Sequence, residues 1–228
     1  MVTKGKRYTE AAALVDKAKV YSLADAVSIM KKFPKAKFDE GVDIAIKLNL
    51  KTNQRIRGIV NFPNSTGRVR RVAVFAVGEK AEEAKQAGAD IVGGDDLAEK
   101  IKNGFLDFDV CAATPDMMRT VGKLGKILGT RGMMPNPKTG TVSMDIATVV
   151  KELKAGKYEF KNERNGVVHL SVAKISQEPE AIVENAQALV RQVNTTRPSE
   201  VKGEYIKKVT ISTTMGVGIT IEPRSLIA

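Results

Sequence analysis

Residues 70 to 157 switch between short apolar runs and helix-like stretches with a regularity that neither end of the chain shares, and this alternation restricts the fold more than any other feature. Val72-Ala73-Val74-Phe75-Ala76-Val77 is a β-rich run ending at Gly78, after which Glu79 to Ala87 reads as a helix stopped by Gly88. Asp90-Ile91-Val92 repeats the strand, Gly93-Gly94 the break and Asp95 to Asn103 the helix. Phe108 to Ala112 is the next strand. Thr114-Pro115-Asp116 then places a cap residue, a first-turn proline and an acid ahead of a helix from Asp116 to about Leu128. Thr141-Val142-Ser143 and a helix from Asp145 to Ala155 close the series. Strands joined by helices of this length predict a parallel sheet with helices on both faces, a Rossmann-like α/β domain.

The flanks read differently. Val42 to Leu50 and Ile56 to Phe62 are strand-like, Tyr158 to Asn162 and Val167 to Ala173 resemble a hairpin turning at Asn165-Gly166, and a helix is expected from Glu180 to Gln192. Lys208 to Ser212 and Gly218 to Ile221 add two further strands. Neither flank alone supplies a convincing core, whereas together they make an antiparallel sheet covered by helices. The expected architecture is therefore a discontinuous α+β domain, residues 1–67 and 159–228, carrying an inserted α/β domain, residues 68–158. The two connections near Gly67 and Lys157 would form a two-strand hinge.

The charge balance narrows the partners. Lysine and arginine number 37 against 26 acids, a formal charge of +11 that favours polyanions such as RNA, DNA or acidic membranes. The flanks hold most of the excess, 22 basic against 14 acidic residues, while the middle has 15 against 12. No stretch approaches the roughly 18 consecutive apolar residues of a membrane span, and Met1 to Arg7 lacks the apolar core of a secretory signal, so a soluble cytosolic chain without a membrane partner is expected. The single cysteine, Cys111, sits in an apolar strand where burial is the default, and the single histidine, His169, falls in the other domain.

Three clusters could carry function. Lys31, Lys32, Lys35 and Lys37 fall within seven residues and lead to Phe38-Asp39-Glu40, a pattern suited to phosphate contacts beside an aromatic platform. A solvated helix end followed by a core phenylalanine fits the same spacing. Ser212-Thr213-Thr214-Met215-Gly216 places hydroxyls, a thioether and a glycine at a strand-to-strand turn, where hydroxyls could read ribose and glycine could admit a close backbone. An ordinary turn has the same composition. Lys161, Arg164 and His169 could line the same surface if their strands are neighbours. The third cluster is the acid-free stretch between Asp116 and Asp145, where Arg119, Lys123, Lys126, Arg131 and Lys138 are interleaved with glycines. No Ser or Thr follows either Gly-Lys pair and Gly78-Glu79-Lys80 lacks a dinucleotide fingerprint, so a phosphate- or nucleotide-binding enzyme is the weaker alternative. No nucleophile, base and orienting group can be assembled, and no metal or cofactor is expected. A general basic RNA chaperone without specificity is the third possibility.

The run Gly-Lys-Ile-Leu-Gly-Thr-Arg-Gly-Met-Met-Pro-Asn-Pro-Lys-Thr-Gly-Thr-Val at positions 125 to 142 resembles the signature of the ribosomal L-one family. The likeness extends to Lys37-Phe38-Asp39-Glu40, Gly88-Ala89-Asp90, Val92-Gly93-Gly94, Asp107-Phe108-Asp109, Ala113-Thr114-Pro115-Asp116 and Thr213-Thr214-Met215-Gly216. It implies a non-enzymatic protein of the large ribosomal subunit that grips ribosomal RNA as a mobile stalk beside exit-site tRNA. It also implies repression of the protein's own operon messenger RNA. A monomer is expected when the chain is free of the ribosome. Carried over by position, Lys37, Phe38, Ser212, Thr214, Met215 and Gly216 fall on the RNA-contacting motifs, joined by Glu40, Lys161, Arg164 and His169, with Lys123, Lys126, Arg131 and Lys138 as a secondary RNA or ribosome contact. Thr130 and Met133 stand where proline and leucine are commoner in the family, and Val217 where proline is usual. The loop Lys51-Thr52-Asn53-Gln54 looks shortened.

Overall fold

The computed structural model describes residues 5–50, 54–201 and 203–227; most of the loop at 51–54 lies outside them. In chain order the elements are α1 (Lys6–Ala13), α2 (Leu23–Lys31), β1 (Gly41–Leu48), β2 (Arg57–Asn61), β3 (Val72–Phe75), α3 (Glu79–Gln86), β4 (Ile91–Gly93), α4 (Asp95–Lys102), β5 (Val110–Ala113), α5 (Met118–Lys123), α6 (Gly125–Thr130), α7 (Ile146–Ala155), β6 (Lys157–Lys161), β7 (Val167–Lys174), α8 (Pro179–Thr195), β8 (Ile206–Thr213), β9 (Ile219–Ile221) and α9 (Arg224–Ile227). The described residues divide into two compact units, one made of those up to Gly67 and from Tyr158 onward, the other of Arg68–Lys157.

The first, split unit is built on an antiparallel sheet of order β7-β1-β8-β9. Strand β1 sets its two faces. Val42, Ile44, Ile46 and Leu48 are buried, while Gly41, Asp43, Ala45 and Lys47 point away from the core, the period-two pattern of a half-covered strand. Helix α8 lays Ile182, Ala186, Leu189, Val190 and Val193 on the inner face at helical spacing, and α2 adds Leu23, Val27 and Met30. Each valine, leucine, isoleucine or methionine among them, taken fully out of water, stabilises the fold by roughly 1.5–3 kcal/mol before entropy is counted.

A buried amide joins the two halves. Asn185, fully buried on α8, accepts the Asn64 N–H at 3.1 Å and donates to the carbonyls of Asn64 at 3.1 Å and Val172 at 2.9 Å. Its hydrogen-bonding groups are thus met inside the core, as a buried amide requires.

The hairpin expected between Tyr158 and Ala173 does not form as a ladder. Its turn exists, with the Gly166 N–H donating to Glu163 at 2.9 Å, but β6 and β7 share one bridge, Asn162 to Val168. The Asn162 side chain explains the divergence. Its Oδ1 accepts the Ile56 N–H at 2.6 Å and its Nδ2 donates to Gln54 at 2.9 Å, so β6 pairs with β2 in a separate two-stranded sheet. That pairing is close: a Cβ on Gly58 would lie 2.4 Å from the Phe160 ring, so only glycine fits there.

The middle unit is a parallel sheet of order β4-β3-β5 with helices on both faces. Every residue of β3 is buried, as a two-sided strand demands. Ala73, Phe75, Cys111 and Ala113 face α4, α5 and α6 through Leu97, Ile101, Val121 and Leu128, while Val72, Val74 and Ala112 face α3 and α7 through Ala84, Ile146, Val150 and Leu153. Burial pushes the Cys111 thiol up to about 12, which leaves it unreactive at neutral pH.

Two expectations in this unit are corrected. The helix read from Asp116 to Leu128 comes in three pieces, a 3-10 turn at Pro115–Met117 followed by α5 and α6, with the break at Leu124. Gly122 and Gly125 flank that residue and lower the cost of leaving helical geometry. Thr141-Val142-Ser143 is no full strand, since only Val142 bridges the sheet, at Ala113.

Candidate nucleic-acid interface

Where β8 ends, the chain is tied back to the start of β1. The Thr214 N–H donates to the Gly41 carbonyl at 3.0 Å, and the Gly41 N–H donates to the Thr214 hydroxyl oxygen at 2.9 Å. Glu40, only 6% exposed, completes the lock. One carboxylate oxygen accepts the Met215 N–H at 3.1 Å and the other takes the Arg7 guanidinium at 3.1 Å, which also donates to Pro34 at 3.1 Å. The acid thus orients a cation and a backbone amide within the protein. A hydrogen bond from the Gly216 N–H to Thr213 at 3.1 Å tightens the turn. Gly216 itself has no room for a side chain, since a Cβ would meet the Thr213 hydroxyl at 2.3 Å and the Phe33 ring at 3.1 Å.

The turn holds Met215 57% exposed, and Phe38, two residues before Glu40, is 54% exposed. Phe38 is therefore a surface platform, and the neighbouring core position is taken by Phe33, 8% exposed. Lys37 is exposed beside it. Lys31 is not part of a free cluster, because its ammonium donates to the Gln177 carbonyl at 2.6 Å. Two apolar projections, free cations and a backbone turn fixed by a buried acid form a surface suited to ribose faces, hydroxyls and phosphates.

The outer sheet face runs on from this corner. Ser212 stands in a row with Asp43 and Ser171, and His169 lies in the next outward row, opposite Ala45 and Thr210. His169 is exposed and about 13 Å along β1 from Gly41. Arg164 lies at the far end of β1, where the Leu48 N–H donates to Gly166 at 2.8 Å, and Lys161 belongs to the separate β2–β6 pair. An eight-residue strand separates its ends by roughly 20–25 Å, so Lys161 and Arg164 are not brought together with the Thr214–Gly216 turn. Lys123, Lys126, Arg131 and Lys138, with Arg119, are all exposed in the middle unit. Arg7 escaped the sequence because its partner lies 33 positions away and no local pattern marks it.

The sequence profile of the Ribosomal protein L1p/L10e family matches residues 30–217. The chain belongs to this family. It is 53% identical to the large ribosomal subunit protein uL1 of Thermosipho melanesiensis over 99% of both chains. The uL1 proteins of Thermobifida fusca and Chlamydia trachomatis serovar D are 49% and 51% identical, over 97% and 100% of this chain. L1p/L10e proteins are structural, not enzymatic, and the nucleotide-enzyme alternative drawn from the α/β repeat has no support. No helix among the described residues is long and apolar enough to cross a membrane.

Proposed function

We propose that this chain is a structural component of the large ribosomal subunit in the cytoplasm, binding ribosomal RNA through the corner formed by Lys37, Phe38, Thr214, Met215 and Gly216. The observation that carries the proposal is the Glu40 lock on Met215. A buried carboxylate that fixes an exposed methionine and its backbone beside an exposed phenylalanine supplies preorganised, sequence- and shape-selective contacts. Ser212 and His169 extend the contact over the outer sheet face, Lys161 and Arg164 reach separate parts of the RNA, and the cations of the middle unit touch RNA or the ribosome secondarily. The α/β unit acts as a Rossmann-like insertion, hinged where the chain crosses at Gly67–Arg68 and Lys157–Tyr158. In this role the protein forms a mobile stalk beside exit-site tRNA, represses its own operon messenger RNA through a similar RNA fold, and is monomeric when free.

Titration against large-subunit ribosomal RNA and an unrelated folded RNA across salt concentrations tests the proposal. Ribosomal RNA should remain bound at high salt, with a slope corresponding to roughly 3–5 phosphate contacts. If both RNAs dissociate together and steeply, charge alone accounts for binding and the proposal fails.

A further inference from the structure

Beside the Phe38 platform the split unit contains a cavity of about 390 Å³ that the contacts above leave empty of a role. Its floor is apolar, made by Met30, Phe33 and Ile175, and its wall carries the Asp39 carboxylate. That carboxylate is held in place: one oxygen accepts the Ser176 N–H at 3.3 Å and the other the Ser176 hydroxyl at 2.8 Å. Two carboxylate oxygens offer about four acceptor positions, so these bonds leave two free acceptors on a fixed group. The cavity is continuous with the proposed RNA corner, because Phe38 and Glu40 line both.

Resting on the RNA-binding function proposed above, the geometry points to a subsite for one unpaired guanine base of the bound RNA, splayed out of its stack and seated against Phe38. Single-stranded bases in RNA recognition are held in this way, by an aromatic face and by hydrogen bonds to the Watson–Crick edge. The edge chemistry selects the base. Guanine presents adjacent N1–H and N2–H donors that satisfy both free Asp39 acceptors. Adenine and cytosine place a ring-nitrogen acceptor next to their amino group, and uracil flanks its single N–H with carbonyl oxygens, so each would set a lone pair against the carboxylate. The cavity lies at the small end of the roughly 300–1,000 Å³ range of ligand pockets, which suits a base and not a larger group.

Kethoxal, which modifies unpaired guanines at N1 and N2, tests the subsite on the full chain bound to large-subunit ribosomal RNA. One guanine reactive in free RNA should become protected by the wild-type protein. With Asp39→Asn it should regain reactivity while the complex persists at higher protein concentration. Replacing that guanosine with inosine, which lacks the N2 amino group, should weaken wild-type binding roughly 10-fold and Asp39→Asn binding little. Tight binding with no protected guanine, or protection that Asp39→Asn leaves intact, overturns the subsite while leaving the RNA function standing. Loss of any preference for ribosomal RNA in the wild-type protein overturns both. Because wild-type protection and the inosine exchange need no protein variant, an unfolded Asp39→Asn would not block the decision.

Discussion

Two cationic surfaces of this chain suit a polyanion, and they are built on opposite plans. The middle unit gathers Arg119, Lys123, Lys126, Arg131 and Lys138 on an acid-free stretch of short helices and turns, and among the described residues none of the five enters an ion pair. The corner of the split unit has fewer charges but a rigid backbone, with Thr214 bonded to Gly41 and Met215 to a buried Glu40. The first surface can attract a polyanion at a distance and loses its hold as salt rises. The second can distinguish one RNA shape from another, because its contact groups are ordered before the ligand arrives. On the proposed function, charge would set how fast and how broadly the protein samples RNA, and the locked turn would decide where it stays.

The sharpest way to break this contrast is Met215→Asp, which sets a carboxylate against phosphate. Affinity for ribosomal RNA should fall roughly 100-fold, as like-charge contacts at interfaces cost several kcal/mol, with the melting temperature nearly unchanged. A loss under threefold would remove the turn from the interface. Next comes Glu40→Gln, which keeps the shape of the lock but leaves Arg7 without its charged partner. Urea unfolding should show a loss of about 1–3 kcal/mol, and RNA affinity should drop roughly 10-fold as the turn loosens. Replacing the five middle-unit cations with glutamine should flatten the salt dependence yet change high-salt affinity by no more than about threefold. Leu128→Ala should destabilise the middle unit by about 2–5 kcal/mol, visible by hydrogen exchange, with no effect on affinity below the temperature at which that unit opens.

The smallest effect concerns Asp109. Burial raises its pKa, but the Arg71 N–H and the Arg68 guanidinium outweigh burial and hold it below the ordinary 3.8. A lowered folded-state value gives stability that is present above the unfolded value and lost as pH falls through the folded one. Acid unfolding of Asp109→Asn should therefore be shallower than wild type below about pH 4, with little difference in slope near pH 7.

Much of this was legible in the residues before any coordinates. Punctuation by Gly78, Gly88 and Gly94 marks the α/β repeat because strand, turn and helix each follow from neighbours a few positions apart. The same locality misleads at Asn165-Gly166, where a good turn suggests a hairpin but the Asn162 amide, bonded to Ile56 and Gln54 over a hundred positions away, sends β6 to another strand. At the RNA corner, the types of Phe38, Met215 and Gly216 suggested contact chemistry. Their exposure and the room around them are tertiary facts, as is the seating of Phe33 in the core place that Phe38 might have filled. Arg7 and the Asp39 wall were invisible for the same reason: each works through a partner far along the chain.

The pairing of β1 has a consequence for how the protein is made. β1 lies between β7 and β8, with Gly41 opposite Lys174 and Val42 opposite Thr213, so its neighbours are translated only after the whole middle unit. Residues 68–157 are contiguous and compact, so they can fold as a unit before the partners of the amino-terminal strand have been made. Since the Gly41–Thr214 and Glu40–Met215 bonds need both ends of the chain, an unfinished copy halted before Thr214 has no gripping corner at all. On the proposed function, the competence of this corner to hold RNA would therefore arrive in one step, late in synthesis.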